Sequence, residues 1–456
     1  MVLLSFLQSG DNSKNRTQYY RSPLNCCAVL SAMEMPMRES RFFFATLLIL
    51  ALATTVPWSA QAQDLLNIDI LHTFTASPDG AGPNPLIRDA QGNLYGTAAS
   101  GGFLGCPLGV GGCGIVYEVA KDGTYTILYS FKGGSSDGGS PLSGVVRDTA
   151  GNLFGTTAGV NGTPSTIYEI KHTGGEKILR YLGNGNFSDG AAANSAPILD
   201  SKGNLFGNTS YGGDSSCGFN GNGCGVVYEV QANGKFRVLH TFTSLADGIE
   251  PIGSPVMDSQ GNIFGIASLG GDLNCDHPDG CGLVYELDHT GRYRILHKFT
   301  GKSDGSFPAC VTDDGSGNLV GVTGSGGDPN CGYDGFGCGT IFRIDKAGKF
   351  KTLYEFTPFT ENNDAHTCLV PDSKGNLYGT NSVGGTHNSG YLAVFTTEGK
   401  YNVLYNFPIE NSFQGGVPLG VVLGQNGEFY GVNALGGDLD CGVENSGCGT
   451  VFELKP

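Results

Sequence analysis

The sequence predicts an all-β fold, a seven-bladed β-propeller of four-stranded antiparallel blades closed by its N-terminal strand. Three observations carry this. GNLYGT at 92–97 returns as GNLFGT at 151, GNLFGN at 203, GNIFGI at 261, GNLVGV at 317, GNLYGT at 375 and GEFYGV at 427, every 52 to 59 residues. Each unit has four apolar segments of strand length. The last unit stops one segment short, at GTVFELKP (449–456), while a matching segment, NIDILHTFT (67–75), stands alone at the other end.

In the first unit the segments are PLIRD (85–89), NLYGTA (93–98), GIVYEV (114–119) and YTILYSF (125–131), rich in β-branched and aromatic residues. Between the first two, Asp89-Ala90-Gln91-Gly92 places Asp first and Gly fourth, as a type I turn prefers. Asp148, Asp200, Asp258, Asp314 and Asp372 repeat that Asp, and the seventh unit has Gly424. A second tight turn, such as Lys121-Asp122-Gly123, joins segments three and four. Each unit is therefore a four-stranded meander.

Seven such sheets, apolar on both faces, bury themselves best by radial stacking, because a linear array leaves two apolar end faces to cap. NIDILHTFT matches the fourth-segment phrases FRVLHTFT (236–243) and YRILHKFT (293–300), so it is expected as the outer strand of the last blade.

Residues 42–56 form an apolar run behind Arg38 and Arg41, followed by the small-residue site Ala60-Gln61-Ala62. We read 37–62 as a signal peptide cleaved before Gln63, 1–36 as an upstream segment beyond the true start, and 63–456 as a single propeller domain. Residues 1–62 hold five of the 26 basic and three of the 42 acidic side chains, leaving 21 and 39 over 63–456, a net charge of −18. That balance excludes nucleic acid and anionic lipid as partners. Twelve of the 14 cysteines remain in the exported part, where disulfides are the default.

The repeated pattern D-x-x-G-N-L-Y/F-G-T … G-G … G-x-V-Y/F-E-L, recurring in phase over 63–456, resembles the Gloeo/Verruco tandem-repeat family. The resemblance implies an exported bacterial β-rich repeat protein, and no particular activity.

In a meander the loops after strands one and three share one face, and those after strand two and from strand four into the next blade share the other. The second face holds everything irregular. After strand two come Cys106/Cys113, Cys217/Cys224, Cys275/Cys281, Cys331/Cys338 and Cys441/Cys448, while units two and six have shorter loops and no pair. Cysteine pair and insertion come and go together, so five local disulfides are expected, each worth about 2–3 kcal/mol. The C-x5-C and C-x6-C spacings do not suit zinc. Cys310 and Cys368 align on neighbouring inner strands and are expected to form a sixth bond.

Loops entering each blade carry Asp79, Asp137, Asp189, Asp247, Asp304 and Asp364, with Gln414 in the seventh unit. They read either as a ring of carboxylates at the channel mouth, able to bind a cation or polyol, or as turn-forming Asp-Gly repeated with the turn. Asp272, Asn274, Asp276 and Asp279 offer oxygen ligands suited to Ca²⁺, without EF-hand order or its closing Glu. No cofactor is required. Glu118, Glu169, Glu229, Glu286 and Glu453 recur in strand three; Lys177, Arg237 and Arg294, each eight residues beyond a Glu, suggest cross-strand ion pairs rather than glycosidase carboxylates. Arg343 with Lys351 breaks that rule. GKSDG (301–305) matches G-x-S-x-G but has no helix behind it, so it is not a nucleophile elbow. His72, His240 and His297 share an outer-strand position with Tyr129 and Tyr354 and read as half-exposed packing residues.

These features point to a monomeric, non-catalytic binding module, periplasmic or extracellular, meeting a protein or glycan through its stapled face, without stable membrane insertion. The rivals are a carbohydrate-active or lyase-type enzyme using channel-mouth carboxylates, and a structural envelope protein.

Overall fold

A computed structural model describes residues 66–456 apart from 108–110, 135, 160–163, 184–186, 219–220, 276, 332–335, 358–366, 410–411 and 442–445. The leader, Asp276 and Asp364 therefore lie outside the described residues. Seven antiparallel sheets follow one another in a ring, and the strand order within each follows the chain. In blade four, for example, the strands are Ile249–Met257, Ile263–Leu269, Leu283–Leu287 and Tyr293–Lys298.

The ring closes as expected. Asn67–Thr73 pairs antiparallel with Thr450–Lys455, from Asn67 opposite Lys455 to Thr73 opposite Thr450. The Phe74 amide continues the ladder to Gly449 O at 3.0 Å, and Lys455 Nζ meets Asp69 at 2.8 Å. Blade seven thus takes its outer strand from one end of the domain and its inner three from the other.

Inner strands are the least regular. They shrink to two residues in blades two, three and six (Val146–Arg147, Ile198–Leu199, Val370–Pro371), and in blade one the strand splits into Ala81–Pro83 and Ile87–Arg88. Their entry explains this. Ser140, Ala192, Glu250, Phe307 and Val417, each three residues past the repeated Asp or Gln414, all have φ between 53° and 61°, with Gly82 in the first blade at 65°. This left-handed kink turns the amide sideways to the preceding blade. Ser140 N donates to Cys113 O (2.7 Å), Phe307 N to Cys281 O (2.9 Å), Glu250 N to Cys224 O (3.2 Å) and Gly82 N to Cys448 O (3.1 Å). In four of the five stapled loops the carbonyl of the second cysteine thus anchors the next blade.

The GN phrase has a mechanical meaning of its own. Asn262 Nδ2 donates to Asp258 in the first tight turn (2.8 Å), while Asn262 Oδ1 accepts the His289 amide of the second (3.0 Å). Asn93, Asn152, Asn204, Asn318 and Asn376 make the same clip. Within the sheet, Gly96 lies flat under Tyr117, whose Oη would sit 2.6 Å from any Cβ placed there. Gly155, Gly207 and Gly265 repeat this under Tyr168, Tyr228 and Tyr285, all fully buried between blades.

The expected sixth disulfide is not formed. Cys310 is buried among Val320, Val322, Leu369 and Leu377, Cys368 is exposed, and the two thiols meet as a hydrogen-bonded pair. Blade six is irregular nearby: Ala393 stands where the other blades carry Tyr or Phe, opposite Gly379.

Two expectations follow. Asn262→Ala should lower the unfolding free energy by about 1–3 kcal/mol in denaturant melts, since it removes the hydrogen bonds that clip the two turns together. Val417→Gly should raise it by about 1 kcal/mol, because a β-branched residue no longer occupies a left-handed conformation.

Candidate functional site

The loops after strand two and those entering the next blade interlock. Each stapled loop begins with Gly-Gly, and the second glycine donates to the incoming loop: Gly102 N to Pro78 O, Gly213 N to Phe187 O, Gly271 N to Leu245 O, Gly327 N to Lys302 O and Gly437 N to Ser412 O, at 2.7–3.2 Å. In four of these loops an Asp follows. Asp214, Asp272, Asp328 and Asp438 each accept the amide two residues on at 2.9–3.0 Å. The disulfides 106–113, 217–224, 275–281, 331–338 and 441–448 then close the loops, with Cα separations of 5.3–6.2 Å. Asp272 and Asn274 belong to this Asx turn, with Asn274 Nδ2 also 3.2 Å from Asp272 Oδ1; Asp279 caps the loop through its carbonyl to Gly270 N. Among the described residues, no three His, Cys, Asp or Glu side chains are grouped to hold a metal ion.

The entry-loop carboxylates do not converge on one another. Each of the five described is bound within its own turn and to the outer strand that precedes it. Asp79 accepts His72 Nε2 and the Thr75 amide; Asp304 accepts His297 Nε2 at 3.0 Å and the Thr300 amide at 3.0 Å. Asp247 caps Thr243 and Ser244, with His240 at 3.9 Å, and Asp189 pairs with Arg180 at 2.6 Å. The partner then reaches across the seam to the next blade's outer strand. His72 stacks on Tyr125 (3.6 Å between ring centres), His240 on Tyr293 (4.0 Å), His297 on Phe350 (3.6 Å), and Arg180 lies over Phe236 (4.6 Å). These carboxylates therefore sit at the outer seams.

Burial pushes the His240 imidazole down, against the pull of Asp247. For Asp304 burial pushes upward, but the hydrogen bonds from His297 and Thr300 outweigh it and hold the carboxyl below its ordinary value.

One seam breaks the pattern, and reading the sequence missed it. Blade two's outer strand, Glu176–Leu182, begins with Glu where the others begin with Tyr125, Phe236, Tyr293, Phe350 or Tyr401. Glu176 meets Asp137 there, and Tyr129 Oη lies 3.1 Å from Asp137 and 3.3 Å from Glu176. The aligned fourth segments carried the signal: one carboxylate in a column of five aromatic rings and Ile68.

The strand-three glutamates form cross-strand ion pairs, Glu229 with Arg237, Glu286 with Arg294, and Glu169 with Lys177 at 3.9 Å. Arg343, opposite Lys351 in register, turns instead to Asp314 at 3.8 Å, which resolves the like-charged pair.

The surface of the loop face is distinctive. Phe103, Leu104, Leu142, Phe187, Leu273, Phe336, Ile409, Phe413 and Leu439 are the exposed large apolar side chains among the described residues. All nine lie in loops of this one face. Lys132 and Lys302 are the two cationic side chains in these loops, against numerous carboxylates. No helix of the described residues is long and apolar enough to cross a membrane.

Asp304→Asn is expected to lower stability by about 1–2 kcal/mol at neutral pH through loss of its charge-assisted bonds. A carboxyl held low stabilises the fold above its ordinary value of 3.8 and ceases to as pH falls through the depressed value. The gap between wild type and variant in pH-dependent melts should therefore close below about pH 4.

Solved structures of the same architecture include the extracellular domains of two proteins named as hybrid two-component systems from B. thetaiotaomicron. One superposes with a TM-score of 0.51 at 10% identity over 86% of this chain, the other with 0.50 at 14% over 84%. The chain spans 40% and 41% of those two structures, and at such identities the likeness is one of fold. No curated protein matches this chain. The Gloeobacter/Verrucomicrobia repeat model matches residues 62–221 and 218–452, and the chain belongs to that family.

Proposed function

We propose that this protein is an exported, non-catalytic binding module whose disulfide-stapled loop face engages a polypeptide or glycan partner. The observation that carries the reading is the segregation of exposed apolar side chains. Scattered surface leucines need no explanation, but nine of nine on one face mark a contact surface.

The physics of the loops supports the same reading. Ordering a long loop at the moment of binding costs free energy, and a staple removes that cost in advance. Leu273 lies two residues before Cys275, Phe336 two before Cys338, and Leu439 two before Cys441, so these side chains stand on the most constrained part of each loop. The acidic loops favour a neutral or cationic partner and repel anionic lipid and nucleic acid. Five disulfides fit an oxidising compartment, periplasmic or extracellular.

The test compares wild type with the triple variant Leu273→Ser/Phe336→Ser/Leu439→Ser against fractionated envelope polypeptides and a panel of defined glycans. Binding of an identified ligand should weaken at least about tenfold in the variant, with an unchanged unfolding midpoint. Equal binding by both proteins removes the loop face from the function.

A further inference from the structure

We propose that Asp137 and Glu176 form a proton-binding site, in which one proton shared by the two carboxyl groups ties blade one to blade two at the outer seam at neutral pH. The proposal stands on geometry that no other blade repeats. Asp137 is only 7% exposed, and its Oδ2 is already satisfied by the Lys132 amide at 2.7 Å and by Tyr129 Oη. Tyr129 Oη also reaches Glu176 Oε2. The second oxygens, Asp137 Oδ1 and Glu176 Oε1, are buried and meet no donor. Two ionised carboxylates in contact repel, and a buried acceptor without a donor costs about 1–3 kcal/mol. Protonating one of them removes the repulsion and supplies the missing donor in a single step.

The surroundings leave the proton as the simplest neutraliser. Facing the pair are Tyr129 from blade one's outer strand, Lys132 from the loop that follows it, and Tyr168 and Tyr181 from blade two. The tyrosines stay neutral, and Lys132 offers the pair its backbone amide. Burial, then the charge of Asp137 and its hydrogen bond, push the Glu176 carboxyl up to about 8, with Tyr129 and Lys132 pulling weakly the other way. At five of the other seams an aromatic ring occupies the Glu176 position and stacking or cation–π contact makes the joint without titration, and at the sixth the position is Ile68.

The sign follows from linkage. Between the ordinary carboxyl value of 4.5 and about 8 the folded protein holds a proton that the unfolded chain has released, so this contribution is complete below 4.5 and is lost as pH rises through 8. Wild type and Glu176→Gln would be unfolded with denaturant from pH 5 to pH 9. The variant amide donates at every pH, so the wild-type unfolding equilibrium constant should worsen relative to the variant by about tenfold or more between pH 6 and pH 9. On wild type alone, ¹³C-carboxyl NMR of glutamate-labelled protein should show one glutamate titrating above pH 6, moving down in Asp137→Asn. A stability gap flat with pH, or no glutamate titrating above pH 6, overturns the proposal. So does stabilisation of wild type but not Glu176→Gln by CaCl₂ at pH 8, which would assign the pair to a metal cation.

Discussion

The molecule depends on closure of its ring. A four-stranded sheet apolar on both faces cannot stand in water, and each blade here is covered only because another lies on either side. The six Asn67–Lys455 to Thr73–Thr450 register pairs make the last blade complete and so supply the cover for the first. Phe74, at the end of that closing strand, is fully buried and packs edge-on against Tyr117 of blade one. The two ends of the domain thus meet inside a core, and cooperativity around the ring passes through that joint.

Given closure, the seams between blades decide what each face can do. On the tight-turn side an Asp and an Asn clip both turns of a blade together, which leaves little room for variation. On the other side, the kinked amide entering four of the inner strands takes the carbonyl of the preceding blade's second cysteine. A disulfide there orders its own loop and also fixes the acceptor that sets the next blade's position. In blade six, which has no disulfide, Ser389 O takes that role for Val417 N at 2.8 Å. The staples are therefore part of how neighbouring blades register, as well as supports for what the loops display.

Much of this was legible in the sequence because it repeats. Seven copies of one phrase gave blade number, strand order, the two turn families and the closing strand, and the co-occurrence of long loops with cysteine pairs gave five disulfides. What escaped was what repetition conceals. The Asn of GN looked like a turn residue, yet it spans two turns that are 27 residues apart at Asn262 and His289. The entry-loop Asp suggested a channel mouth, whereas its carboxylate bonds the outer strand seven to nine residues earlier, a contact fixed by how the chain doubles back. Arg343 lacked a partner across its hairpin because Asp314 lies on a different turn. Cys310 and Cys368 aligned correctly on neighbouring strands, but alignment carries no information on how each side chain is buried.

The outer seams show how such a scaffold gains chemistry without losing shape. A single pair of positions, one on each neighbouring outer strand, is filled by His on Tyr, His on Phe, Arg on Phe, Tyr on Tyr, Tyr with Ile, or Tyr beside Glu. Every combination bridges the same gap, so packing tolerates the exchange, while charge and proton affinity change with it. The aromatic rings buried between blades, Tyr117, Tyr168, Tyr228 and Tyr285 among them, hold the ring together from inside, so the identity of a rim pair can change while the wheel keeps its shape. Departures from sevenfold symmetry at the rim and in the loops are the places where function enters.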